Sequence, residues 1–333
     1  MLGTLRLLFA LAVALSHAGM HLRGLNLGVI AVIGFYLISG YVMAGLIRRH
    51  YAQPQAASAF YLDRAIRLLP QYLFYILLTL AWHLYSRADN YFLSRIPGPV
   101  DLFNNLSVVP LNYYMFNGSD RYTLIPPAWS LGAEVQFYLL APFLLLWPKR
   151  LFGIGLIGLA VYLAALSGVI NSDWFGYRLL PGVLLFFVLG AFLQHQHQKH
   201  QHGRARSMTI GVAAAVVLGA VLLNFNGILR APYNFETLLG LILGLALLQT
   251  LAKRSSNRWD SLAGDISYGV FLNHFLILWT LYPQGVTSIQ WPVFLALSIV
   301  LSWLSQRLIE QPLIKLRHRF RKPLPLTRHP AAL

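Results

Sequence analysis

The chain is 333 residues long, 57% hydrophobic and only 11% charged, with a mean hydropathy of +0.59. Soluble domains carry about 25% charged residues, so this balance excludes an ordinary soluble enzyme and a disordered chain alike. The absence of cysteine excludes thiol nucleophiles, Cys-ligated zinc or iron–sulfur sites, and any redox reading.

Crossing about 30 Å of hydrocarbon takes about 20 apolar residues, and lipid forces them into helices because it offers the backbone no hydrogen-bond partner. The apolar runs predict an all-α integral membrane protein of about ten transmembrane helices. In chain order they cover 4–22, 26–47, 69–86, 125–148, 150–170, 177–194, 207–224, 234–252, 263–283 and 289–310. Several carry periodic Gly and Ala, as close helix packing in lipid favours. The expected organisation is a membrane-embedded domain over 1–313 and a basic tail over 314–333.

The net charge of +16 follows these spans. Arg6, Arg48, Arg49, Arg64, Arg67, Lys149, Arg150, Lys199, Arg204, Arg206, Lys253, Arg254, Arg258 and the tail from Arg307 to Arg328 fall on one side. Only Arg23, Arg87, Arg95, Arg121, Arg178 and Arg230 fall on the other. This is the positive-inside pattern, so both termini are expected in the cytoplasm of a multi-pass cell-membrane protein. The tail then suits an anionic inner leaflet rather than a nucleic acid. Arg6, the apolar run and Ala14-Leu15-Ser16 also resemble a cleavable signal peptide.

Between the spans, residues 48–68 are basic, and residues 87–124 are near-neutral with a short interfacial helix expected near 101–115. Tyr91, Tyr113, Tyr114 and Trp129 read either as interfacial anchors or as faces on which a sugar stacks. Gly153-Ile154-Gly155-Leu156-Ile157-Gly158 matches a dinucleotide fingerprint, but it lies inside an apolar span and reads as helix-packing glycine. His195, His197, His200 and His202 read as a solvated loop, and no metal site is expected.

Ionisable groups within spans cost roughly 2.5–3.5 kcal/mol each at mid-helix, which makes the few present functional candidates. His17 is a general base by its chemistry, or an interhelical hydrogen bond. Arg6 stands eleven residues earlier on the same helix, about 16 Å away at 1.5 Å per residue, so the two mark different depths. Arg64 and Arg67 share one helix face and suit a phosphate, or anchor the helix at the interface. Ser130 and Glu134 fall at i and i+4; Glu134 can orient a histidine, pair an arginine, bind a substrate hydroxyl or form a buried salt bridge. His274 marks a second polar site or a packing hydrogen bond.

Taken together, these residues resemble the acyltransferase-3 family of integral membrane acyltransferases over about 4–313. Arg6 and His17 match its R-x10-H; Gly34-Phe35-Tyr36-Leu37-Ile38-Ser39-Gly40-Tyr41 matches its second-helix block. Arg64 and Arg67 match R-x-x-R, with Asp63 where the family often has a basic residue. Trp129-Ser130-Leu131-Gly132-Ala133-Glu134-Val135-Gln136-Phe137-Tyr138 matches W-S-L-x-x-E-x-x-F-Y. Ser267 to His274 matches S-Y-x-x-Y-L-x-H with Phe271 in the aromatic slot, and Glu310-Gln311-Pro312 matches the closing E-x-P. Each motif is weak alone; their order along the chain is the specific signal.

The resemblance implies transfer of an acyl group, usually acetyl from acetyl-CoA, to a hydroxyl of an extracytoplasmic carbohydrate such as exopolysaccharide, O-antigen or a lipid-linked oligosaccharide. It implies His17 and Glu134 as catalytic, Arg6, Arg64 and Arg67 as donor-binding, and Ser130, Trp129, His274 and Tyr41 as substrate-binding. Acyl-CoA is then a substrate and no resident cofactor is expected. A bilayer, an acceptor glycan and polysaccharide-biosynthesis machinery are the implied partners. The short tail resembles that of the stand-alone form. A transporter or flippase of a lipid-linked sugar is the alternative, without an internal repeat or a pair of broken helices to support it.

Overall fold

The computed structural model describes residues 1–198 and 231–314, with Gly203, Ser207, Ile210, Gly211, Ala214 and Leu218 between them. Most of the expected span 207–224, His200, His202, Arg230 and the basic tail lie outside the described residues. The helices are α1 Leu2–His17, α2 Leu27–His50, α3 Ala57–Ser86, α4 Pro99–Ser107, α5 Tyr114–Asn117 and α6 Ala128–Leu144. After them come α7 Pro148–Leu166, α8 Leu180–Gln198, α9 Asn234–Leu251, α10 Arg258–Leu281 and α11 Trp291–Ser305. Among the described residues there is no β-strand, only two isolated bridges.

Among the described residues seven helical segments are long and apolar enough to cross a membrane; α1 is a shorter apolar helix of 16 residues, and α6 has 17 residues. The protein is an all-α membrane protein. Each expected span within the described residues is met by a helix, with shifts of boundary at several ends, two of which bear on the site. α1 stops at His17 rather than running to 22, because Gly19 turns the chain at φ 86°. α3 starts at Ala57 rather than 69, after Pro54 opens a 3-10 turn, so Arg64 and Arg67 lie within the helix. Their charge is tolerated there because carboxylates meet them, as described below.

α2 is the central helix and packs against α1, α6, α8 and α9, while α1 also packs along α10. The α2–α8 contact is made backbone to backbone. A Cβ on Gly40 would fall 1.9 Å from the Phe187 carbonyl oxygen, and one on Gly190 would fall 2.0 Å from that of Leu37. Small residues let helices approach this closely where lipid supplies no hydrophobic drive. Two of the three fingerprint-like glycines do the same work, Gly155 facing Val188 and Gly158 the backbone of Leu185, whereas Gly153, also read as a packing glycine, faces open space.

A buried polar seam joins α3, α10 and α11. Gln71 Nε2 and the Tyr75 hydroxyl each hydrogen-bond Ser305 Oγ at 2.8 Å, and Asn273 Nδ2 donates to the Ser298 carbonyl at 2.9 Å. Ser298 Oγ donates back to Asn273 Oδ1 at 2.5 Å. Such interhelical bonds are worth about 0.6 kcal/mol each on average, so they fix register more than stability. The register matters because His274 is the next residue along.

The segment after α3 folds over the far end of the bundle. α4 replaces the interfacial helix expected near 101–115, ending earlier at Ser107 before a 3-10 turn from Val109. Val108 between them holds φ 66°, a conformation that a β-branched residue rarely adopts. Two asparagines tie this segment down. Asn105 donates to the carbonyls of Asp101 and Tyr122 and accepts from Leu124 N–H. Asn112 Nδ2 donates to the carbonyls of Trp129 and Arg178, both at 3.0 Å. Gly132 leaves room for this layer, since a Cβ there would lie 3.0 Å from Asn112 Cβ and the Val108 carbonyl oxygen.

Candidate active site

The last residue of α1 meets the middle of α10. His17 Nδ1 lies 3.0 Å from His274 Nε2, with ring centroids 5.2 Å apart and planes within 4°. Two rings whose nitrogens are this close but whose centroids are this far apart share a plane edge to edge. The contact is therefore an in-plane hydrogen bond and not a face-to-face stack. His274 is fully buried, and its Nδ1 faces the Val270 carbonyl at 3.1 Å. A carbonyl only accepts, so His274 Nδ1 carries the proton and, in the neutral ring, Nε2 carries the lone pair. His17 must then donate from Nδ1, which leaves its own Nε2 as the basic nitrogen. Phe275 packs on both rings, at 4.8 and 5.1 Å.

His17 is exposed despite these contacts, because it forms part of the wall of a cavity of about 470 Å³ at the far end of the bundle. Tyr91, Tyr114, Asp120, Trp129 and Arg178 line the same space. The Tyr91 hydroxyl donates to Asp120 at 2.5 Å, which raises its pKa above the ordinary phenol value. Burial pushes the Tyr114 phenol up to about 12, so it remains a neutral donor across the physiological range.

Arg178 is the feature that the sequence motifs missed. Its Nε donates to Asp173 Oδ1 at 2.8 Å, and its guanidinium lies 4.8 Å from the Trp129 ring and 4.9 Å from that of Tyr177. Tyr114 and Tyr233 complete the enclosure at 5.4 and 5.9 Å. An arginine at the start of an apolar run is itself a signal, since ionisable groups there are costly. In the sequence it had been one outer-side cation among several.

Deeper in the bundle lies a smaller cavity of about 50 Å³, lined by Arg6, Tyr36, Ser130, Glu134, Ser267 and Tyr268. Glu134 accepts from Ser39 Oγ at 2.6 Å and from the Tyr138 hydroxyl, so the second-helix block and the W-S-L block converge on one carboxylate. Ser130 Oγ turns back to the Pro127 carbonyl at 3.0 Å. Tyr36 is 2% exposed, and its hydroxyl has no hydrogen-bond partner among the described residues.

The two α3 arginines are not open forks. Arg64 pairs with Asp63 next to it, and Arg67 pairs with buried Glu310 and with Asp265 at 3.8 Å. Glu310 is the acid of the closing E-x-P motif, so that motif meets the R-x-x-R motif in space. Tyr41 sits apart from all of these and hydrogen-bonds His197 Nδ1 at 3.1 Å, while His195 lies 3.5 Å from Arg48. Among the described residues no cluster of His, Asp or Glu has the arrangement of a metal site.

The nine residues singled out from sequence thus divide into distinct places. His17 and Trp129 face the larger cavity with His274 behind; Arg6, Ser130 and Glu134 line the smaller one. Arg64 and Arg67 are ion-paired, and Tyr41 stands alone.

The acyltransferase 3 family model, described as an acyltransferase domain, matches residues 2–307. This chain belongs to that family. It is a membrane acyltransferase. A similar but uncharacterized protein of Aquifex aeolicus (strain VF5) is 39% identical, covering 58% of this chain and 90% of its own length. A relative in Staphylococcus aureus (strain COL), provisionally named an O-acetyltransferase, is 26% identical over 93% of this chain and 56% of its own. The O-acetyltransferase OatA of Staphylococcus aureus (strain NCTC 8325 / PS 47) is also 26% identical, over 86% of this chain and 53% of its own. The chain therefore spans about half the length of these two staphylococcal relatives. No solved structure matches.

Proposed function

We propose that this protein is a multi-pass O-acyltransferase of the cell membrane that moves an acetyl group from cytoplasmic acetyl-CoA to a hydroxyl of an extracytoplasmic glycan. The observation that carries the reading is the His17–His274 pair opening onto a cavity walled by aromatic side chains and Arg178. His17 Nε2 takes the proton of the acceptor hydroxyl as its oxygen attacks the acyl carbonyl. His274 holds the tautomer that makes this nitrogen basic, acting as a positioning residue. Trp129 and the tyrosines offer flat apolar faces of the kind that pack on a pyranose ring. Arg6 and Glu134 flank the deeper cavity on the donor's side, where they guide the thioester toward His17.

The test uses cells with the gene intact, deleted, and complemented by wild type or His17→Ala. The O-acetyl content of purified surface polysaccharide is measured by NMR. Loss on deletion, restored by wild type and not by inserted His17→Ala protein, is the expected result. Unchanged acylation in the His17→Ala strain would overturn the general-base role. Unchanged decoration of every surface glycan on deletion would overturn the acceptor assignment.

A further inference from the structure

We propose that Arg178 is a catalytic residue of this transfer: its guanidinium holds the negative oxygen that develops on the acyl carbonyl. The proposal rests on the acyl-transfer reading above and adds to it the group that stabilises the intermediate.

Three observations support it. First, the fork is pinned without being used up. A guanidinium offers five N–H donors. Asp173 takes the one on Nε, and Nη1 and Nη2 have no hydrogen-bond partner among the described residues. The side chain is only 15% exposed, so these unused donors are directed by their enclosure and not by bulk water. Second, the enclosure is rigid. Tyr114, Trp129, Tyr177 and Tyr233 surround the cation, and Asn112 fastens the backbones of Trp129 and Arg178 to one another. Preorganised donors in a water-poor site supply more stabilisation than mobile ones, because nothing has to reorient as the charge appears. Third, Arg178 lines the same cavity as His17. Base and oxyanion donor then open onto one space.

Asp173 also argues for a transient anion over a permanent one. The Arg178–Asp173 pair is neutral as it stands, and Asp120 adds a carboxylate to the same cavity. A carboxylate or phosphate on the acceptor would meet no net positive charge there. An oxyanion present only during the reaction meets fixed donors at the moment when it needs them.

The step balances with the thioester donor and the acceptor alcohol alone. The acceptor proton passes to His17 Nε2 while the new C–O bond forms, and the carbonyl π pair moves to oxygen, where Arg178 holds it. Collapse of the intermediate re-forms the carbonyl and breaks the C–S bond. The thiol leaves with the proton from His17, giving an ester and free thiol.

The experiment uses full-length protein in liposomes, acetyl-CoA as donor, and host surface polysaccharide freed of its esters by mild base as acceptor. For Arg178→Gln, kcat falls about 10²–10³-fold while KM for both substrates stays within a few-fold. Arg178→Lys keeps the charge but not the fork and retains an intermediate rate. Guanidinium added to Arg178→Ala restores part of the rate, a readout that a merely structural cation would not give. Thermal unfolding of each variant reports the fold; if Gln at this position does not fold, the Lys variant and the guanidinium rescue decide the matter. Wild-type kcat in Arg178→Gln would overturn the proposal, and so would a loss confined to acceptor KM, which would make Arg178 an acceptor-binding group. Absence of transfer by wild-type protein would instead overturn the underlying reading, and this proposal with it.

Discussion

At the basic end of the bundle Arg64 and Arg67 are each met by carboxylates, whereas at the far end Arg178, bound to Asp173 at Nε, lines a cavity together with His17. The residue type is the same, and the difference lies in what the fold brings to it. Asp63 stands next to Arg64 in sequence, and buried Glu310 reaches Arg67 from beyond α11. Asp173 reaches Arg178 only at Nε. Motif spacing drew attention to the first pair and passed over the third arginine, yet the third is the one that shares a cavity with His17. Conspicuous spacing in sequence can reflect a structural clamp as readily as a site of chemistry.

The largest expected effect sharpens this contrast. Arg67→Ala strands the Glu310 carboxylate in the protein interior, and breaking a buried pair from one side costs about 3–5 kcal/mol. Glu310 is 1% exposed, so little solvent is available to relieve it. Arg67→Ala is expected to lower the thermal unfolding midpoint in detergent sharply, and Arg67→Met with Glu310→Leu to recover most of the loss. A single variant that stays fully stable and only raises the acyl-CoA requirement would break the comparison and return Arg67 to a donor-binding role.

Next in size is the histidine pair. His274→Leu removes the acceptor for His17 Nδ1–H and is expected to lower the transfer rate about 10²-fold, at the low end of what general acid–base catalysis contributes. His274→Gln keeps an acceptor atom and should recover part of that rate. Equal rates for the Leu and Gln variants would remove His274 from the positioning role. A smaller change concerns packing alone. Gly190→Ala places a methyl against the Leu37 carbonyl and is expected to cost about 1–3 kcal/mol by overpacking, measured as a lower unfolding midpoint. An unchanged midpoint would mean that α2 and α8 can separate without penalty.

Much of the architecture was legible because lipid leaves the chain few choices. Apolar length implies a helix, and every expected span within the described residues is one. The boundaries were less legible. A hydropathy window could not place the start of α3 at Ala57, because Arg64 and Arg67 lower its hydropathy and the carboxylate that meets Arg67 stands more than two hundred positions away. The sequence offered candidate residues for the site but not their grouping. His17 and His274 are 257 residues apart, and only the packing of α1 along α10 brings their rings into one plane. Arg178 was invisible for the opposite reason: its aromatic enclosure comes from Tyr114, Trp129 and Tyr233, each on a different segment.

The smallest predicted effect tests whether the deeper cavity takes part directly. Tyr36 lines the space shared by Arg6 and Glu134, and its hydroxyl is buried without a hydrogen-bond partner among the described residues. A buried donor without a partner costs about 1–3 kcal/mol relative to one that is satisfied. Tyr36→Phe removes the hydroxyl and keeps the ring that packs on Phe187 at 4.7 Å. The variant is expected to unfold at the same temperature as wild type or slightly higher, by up to about 1 kcal/mol, with its acyl-transfer rate unchanged. A tenfold fall in rate at unchanged stability would mean that the hydroxyl finds its partner only on a bound substrate. The deeper cavity would then join the larger one as part of the reacting centre, and the contrast between the two ends of the bundle would extend to its middle.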